Sequence, residues 1–171
     1  MAAIVSAAGG RPVLLDVSRM MLHSAPPFEK VQSTFESLPF RDGVFDGVVA
    51  GFSLRDSRDL HEALEQISRV IVRGGRFGFC DLGKPTSAIK SLIMAVYLRA
   101  AVPLIGLLSG GRSGLGFASL YQTYLLTPDN RRMVHLLGSY FRDVAMRATR
   151  LGGAIVVTCN VKKEGETRGA Y

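Results

Sequence analysis

The chain has 171 residues, of which 47% are apolar and 20% charged, and its 21 Lys and Arg against 14 Asp and Glu give a net charge of +7. That size and balance fit one domain with its own core and exclude a disordered chain. The positive surplus is mostly arginine, and Arg131, Arg132, Arg142, Arg147 and Arg150 gather toward the C-terminus. They form either a solvated basic face or a surface for phosphate or an anionic membrane. No aromatic residues alternate with them for base stacking, so nucleic acid is not an expected partner.

In chain order, "MAAIVSAAGG" reads as the tail of a helix with a glycine stop at Gly9-Gly10. Pro12 to Leu15 then form a short apolar strand that ends at Asp16, and Ser18 caps a helix that Pro26-Pro27 stops. Lys30 to Thr34 alternate as a further strand. Phe45 to Gly51 is apolar enough to be covered on both faces, as parallel strands are. Leu60, Leu64, Ile67 and Ile71 recur at helical spacing and predict a helix from about Ser57 to Val72 that Gly74-Gly75 ends. "RFGFCD" to Asp81 is the next strand.

The stretch "LIMAVYLRAAVPLIGLL" at 92–108 is short for a bilayer span and is interrupted by Arg99 and Pro103. It reads as a helix that is buried or lines an apolar pocket. "GGRSGLG" at 110–116 follows no strand and has no phosphate-loop lysine, so a cover loop is expected there. A second strong helix begins at Thr127 with Pro128 in its first turn, and two terminal strands join at Gly152-Gly153 as a two-residue hairpin. Cys80 and Cys159 lie in apolar runs and read as reduced core thiols. His23, His61 and His135 are scattered without metal spacing, so no metal is expected.

Strands and helices therefore alternate before a terminal hairpin. That order predicts an α/β domain over residues 1–162: a doubly wound, mostly parallel sheet with a C-terminal antiparallel hairpin. Residues 90–126 form an apolar lid or insert, and 163–171 a flexible tail. Nothing near Met1 has the basic-then-apolar pattern of a signal peptide, and the cytoplasm is the expected location.

An acid at the tip of a strand lies at the rim where open α/β sheets bind ligands, so Asp16 either accepts a pair of ribose hydroxyls or offsets the dipole of the capped helix that follows. "LLDVSRMML", "VQSTFESLPFRDGVFDGVVAGFSLRD" and "HEALEQISRVIVRGGRFGFCDLGKP" occur in this order. Together they resemble the class I S-adenosylmethionine-dependent methyltransferases, with "FSLRD" most similar to the ubiquinone/menaquinone biosynthesis C-methyltransferase family. The resemblance implies a Rossmann-like sheet, S-adenosylmethionine as cofactor, and methyl transfer to a ring carbon of a quinol or similar apolar acceptor.

Residue by residue, the resemblance gives Asp16 the ribose hydroxyls and places Met21 near the adenine. Thr34 stands where an Asp or Asn usually contacts the adenine amine, and Phe35 where a smaller residue offers its backbone amide. Gly51 takes the place of a small residue at the end of the fourth family strand, close to the meeting point of methionine and substrate. Arg55 faces the mouth of the site or pairs with Asp56 or Asp59. Tyr121 contacts the substrate hydroxyl or is simply a buried core tyrosine. No residue is identified as the catalytic base.

The family's first strand and its glycine-rich loop have no counterpart, so the chain is expected to begin inside the helix that follows the loop. Three outcomes are then open. The second and fourth family strands pair directly, another chain closes the gap as in a swapped dimer, or the protein starts upstream. The competing functional reading is a non-catalytic, truncated methyltransferase-like domain acting as a dimeric interaction or remnant protein. Peripheral membrane contact and homo-oligomer formation are the expected associations.

Overall fold

The computed structural model describes residues 1–105 and 119–162; the glycine-rich stretch at 110–116 and the tail at 163–171 lie outside the described residues. Helix α1 (Ala2–Ala7) ends at Gly9, whose φ of 85° supplies the left-handed stop. Strand β1 (Val13–Asp16) leads into α2 (Arg19–Ser24), where the Ser18 hydroxyl accepts the Met21 amide at 3.3 Å as the expected N-cap. Strand β2 (Glu29–Gln32) lies parallel to β1. Strand β3 (Phe45–Gly51) is parallel to the long strand β4 (Ile71–Leu82), with α3 (Leu60–Val70) between them.

Helix α4 (Ala88–Val96) runs on through a π-helical turn (Tyr97–Ala101) to Ile105. Two more helices follow, α5 (Ser119–Leu126) and α6 (Asn130–Tyr140). The antiparallel strands β5 (Phe141–Ala148) and β6 (Ala154–Val161) complete the chain.

The ladders fall into two groups, β1–β2 and β3–β4–β6–β5, so β3 does not pair directly with β1. The first of the three outcomes is thereby removed. Among the described residues, both strands therefore keep one edge without a ladder partner.

Helices α3 and α6 bury Leu64, Ile67, Met133 and Leu137 against Phe77, Phe79, Ile155 and Val157 of β4 and β6. Strand β3 adds Val48 and Ala50 to that cluster, while Val49 on its other face is 56% exposed. The expectation of a strand covered on both faces is corrected here. Side chains alternate across a strand, and only one face of β3 meets the helices that build the core.

Four other expectations shift for identifiable reasons. Helix α3 starts at Leu60 because the Asp59 carboxylate accepts the His61 and Glu62 amides at 2.8 and 3.1 Å. Gly74-Gly75 does not end that helix. Strand β4 begins at Ile71 and runs through both glycines, and Gly74 takes a φ of 77° where the β3–β4 register shifts. Helix α6 begins after Pro128, capped by Asp129, whose Oδ1 accepts two amides at 3.0 Å; the Thr127 hydroxyl instead donates to Thr123 O at 2.8 Å and closes α5. The hairpin turn spans 149–153 rather than two residues, closed by Thr149 N to Ala154 O at 2.9 Å and Gly152 N to Thr149 O at 2.7 Å.

Only one of the two thiols lies in the core as expected, since Cys80 at the tip of β4 is half-buried. Both are free, and Cys159 is buried with its Sγ 3.6 Å from Phe77 O. Burial pushes the Cys159 thiol up from the ordinary 9.0 to about 12. Native protein treated with a thiol alkylator at pH 8.5 is therefore expected to label Cys80 and spare Cys159, as read by mass spectrometry. Because the folded-state value is raised, the stability tied to this neutral thiol is complete below 9.0 and is lost as pH climbs toward 12.

Candidate active site

The chemistry-bearing residues collect at the C-terminal ends of β1 to β4, the rim where ligands bind in open α/β sheets. Asp16 closes β1. Its Oδ1 accepts the Ser18 amide at 2.8 Å, which fixes the carboxyl against the first turn of α2 and keeps its second oxygen available as an acceptor. The carbonyl of Asp16 also accepts the Ser33 amide at 3.3 Å, tying the β1 tip to the loop after β2. Thr34 and Phe35 lie in that loop. Phe35 packs against the hydrophobic core. The Thr34 hydroxyl bonds Glu36, whose carboxylate also accepts the Arg58 amide at 2.6 Å. Burial raises the Glu36 carboxyl, but the Glu36, Arg58 and Asp59 amides and the Thr34 hydroxyl outweigh it and hold it below the ordinary glutamate value. Met21 stands on α2 with its side chain exposed.

A second group forms at the tips of β3 and β4. A Cβ placed on Gly51 would run into the Met1 side chain and reach Cys80 Sγ at 3.8 Å, so a methionine thioether already fills the space that the missing side chain leaves. Four residues on, Arg55 is committed to Asp81. Arg55 Nη1 donates to Asp81 Oδ1 at 2.7 Å and the Arg55 amide to Oδ2 at 3.2 Å. Both partners are almost dry, at 10% and 5% side-chain exposure, and Asp56 sits farther off at 3.6 Å from Nε. Of the two expected partners, Asp56 is the one within reach, while Asp59 caps α3. The principal partner, Asp81, was missed, although it is an acid at a strand tip like Asp16 and could have been weighed by the same logic.

Gly83, in the "GKP" after β4, is required by close approach. A Cβ there would come within 2.6 Å of Gly152 O and 2.8 Å of Asn130 Oδ1. Tyr121 does not join these groups; it lies under Arg99, whose guanidinium is 5.4 Å from its ring centroid. The buried tyrosine of "SLYQTYLL" is Tyr124, at 1% exposure. Among the described residues no His, Cys, Asp and Glu cluster could hold a metal ion.

This arrangement is the Rossmann-like fold of the S-adenosylmethionine-dependent methyltransferases. A solved S-adenosylmethionine-dependent methyltransferase of Thermotoga maritima, described as a possible histamine N-methyltransferase, superposes with a TM-score of 0.60 at 15% identity, covering 93% of this chain and 76% of that one. The profile of the ubiE/COQ5 methyltransferase family matches residues 5–140. The chain belongs to that family. It is 32% identical over 138 residues to the ubiquinone/menaquinone biosynthesis C-methyltransferase of Hahella chejuensis, covering 75% of this chain and 55% of the relative. A demethylmenaquinone methyltransferase of Mycolicibacterium gilvum is 31% identical over 128 residues, with 74% and 55% covered. The chain thus spans about half the length of the curated relatives it matches.

Proposed function

We propose that this chain binds S-adenosylmethionine at the tips of β1 to β3 and takes part in methyl transfer to a ring carbon of a quinol or similar apolar acceptor. The single observation that carries the reading is the Asp16 carboxyl, held by the Ser18 amide at the end of β1 with one oxygen left to receive a ribose diol. When bound, S-adenosylmethionine supplies an electrophilic sulfonium methyl. The chain's own part is positional. Asp16 orients the ribose, the loop at Thr34 borders the adenine side, and the methionine end takes the space over Gly51, beside Cys80, once the Met1 side chain leaves it. The buried Arg55–Asp81 pair fixes the backbone just beyond Gly51, so Arg55 is a positioning residue in this reading. The cytoplasm remains the proposed compartment.

The test is transfer of a labelled methyl group to a prenylated hydroquinone that lacks a ring methyl. Product methylated on carbon is the expected result, and methylation confined to oxygen would refute the acceptor chemistry.

The unpaired edges of β1 and β3 favour a second reading, a non-catalytic domain whose sheet is completed by a second copy. A dimer mass by light scattering together with no affinity for S-adenosylhomocysteine would decide for it.

A further inference from the structure

The helix Ala88–Ile105 has its apolar stripe turned outward. Ile89, Leu92, Ile93 and Val96 recur at i, i+3, i+4 and i+7, which is one face of a helix, and all are exposed, Ile89 at 73% and Leu92 at 65%. Leu104 and Ile105 extend the exposed set, and Leu125 and Leu126 add to it from α5. Of the two expectations for this segment, the buried helix is corrected, since only 11% of it is inside the fold. Its inner side meets a cavity of about 420 Å³ lined by Leu82, Met94, Tyr97, Leu98, Leu151 and Ala154. A soluble surface rarely carries so large an apolar face without a partner.

Charge says which partner. From Leu82 to Pro128 the sequence contains no Asp or Glu, while it carries Lys84, Lys90 and Arg99 among the described residues. Lys90 and Arg99 are exposed on this helix. Lys84 Nζ donates to Leu125 O at 3.1 Å beside the exposed leucines, and Arg99 lies over the Tyr121 ring at 5.4 Å. Apolar side chains flanked by Lys, Arg and Tyr are the composition of a helix lying in a membrane interface.

By length and composition the helix could also cross a bilayer. Leu98 on its inner side is buried in the fold rather than turned to lipid. The helix is also tied down, by the Ser91 and Tyr124 hydroxyls at 3.0 Å and by Lys90 Nζ to Arg150 O at 3.5 Å. We infer that the face of Ile89, Leu92, Ile93 and Val96 docks onto an anionic bilayer surface, with Lys90 and Arg99 at the headgroups. The inference is independent of methyl transfer.

The test is co-sedimentation of the full chain with phosphatidylcholine vesicles, with and without phosphatidylglycerol. Binding to the mixed vesicles is expected to exceed binding to the neutral ones by about tenfold, and Leu92→Glu with Val96→Glu should abolish it. Lys90→Glu should weaken binding by about fivefold or more, and Arg41→Glu, an equal charge change on a distant loop, should leave it within about twofold. The substituted side chains are exposed, so the folded state is expected to survive, with circular dichroism as the check. Absence of binding would overturn the inference. So would equal weakening by Lys90→Glu and Arg41→Glu, or a dimer that the double variant dissociates, which would make a second copy the occupant.

Discussion

Replacing Asp81 with alanine is expected to lower the free energy of unfolding by about 3–5 kcal/mol, measured by urea denaturation. The substitution strands Arg55 with its guanidinium nearly dry, and it removes the acceptor of the Arg55 and Leu82 amides, 3.2 and 2.8 Å away. The double change Arg55→Met with Asp81→Leu should cost much less, because a buried ion pair exchanged for apolar groups escapes the desolvation penalty of an orphaned charge. A loss under about 1 kcal/mol for Asp81→Ala would mean that the pair is hydrated and holds nothing in place.

Phe77→Ala is the other large effect, an expected loss of about 3–5 kcal/mol. Phe77 is fully buried on β4, with its ring centroid 5.3 Å from both Phe79 and Phe141. It therefore joins β4 to β5 through the cluster that α3 and α6 cover, and the cavity left behind could not collapse without moving both helices. Val49→Ala, on the exposed face of β3, is the matched control and should stay within about 0.5 kcal/mol. A small effect at Phe77 would show that the four-stranded sheet does not depend on this cluster.

Some elements were legible from local chemistry alone. The bounds of β3, Phe45–Gly51, follow from a largely apolar run that only Asp46 interrupts. The Ser18 cap and the Gly9 stop follow from side-chain and backbone preferences that act within a few residues. The misreadings share a different cause. Periodicity tells which face of a segment is apolar, but not whether anything covers it. The helix from Ala88 thus reads as buried or pocket-lining, while the structure leaves its outer stripe exposed and puts an apolar cavity on its inner side. Gly74-Gly75 carries the signal of a helix stop and of a strand irregularity equally well, and the β3–β4 ladder decides between them. The Arg55–Asp81 contact joins the turn after β3 to the tip of β4, residues 26 apart, a separation that no local pattern encodes. Phe35 stands where the resemblance implies a smaller residue, and its packing against the core is a tertiary contact that its position alone does not encode.

The most direct test of the account is calorimetric titration of S-adenosylhomocysteine into the chain, with Asp16→Ala alongside. Micromolar binding by the native sequence, lost in the variant, is the predicted result. No heat at millimolar ligand, or equal affinity in the variant, would contradict a cofactor site built on the tip of β1.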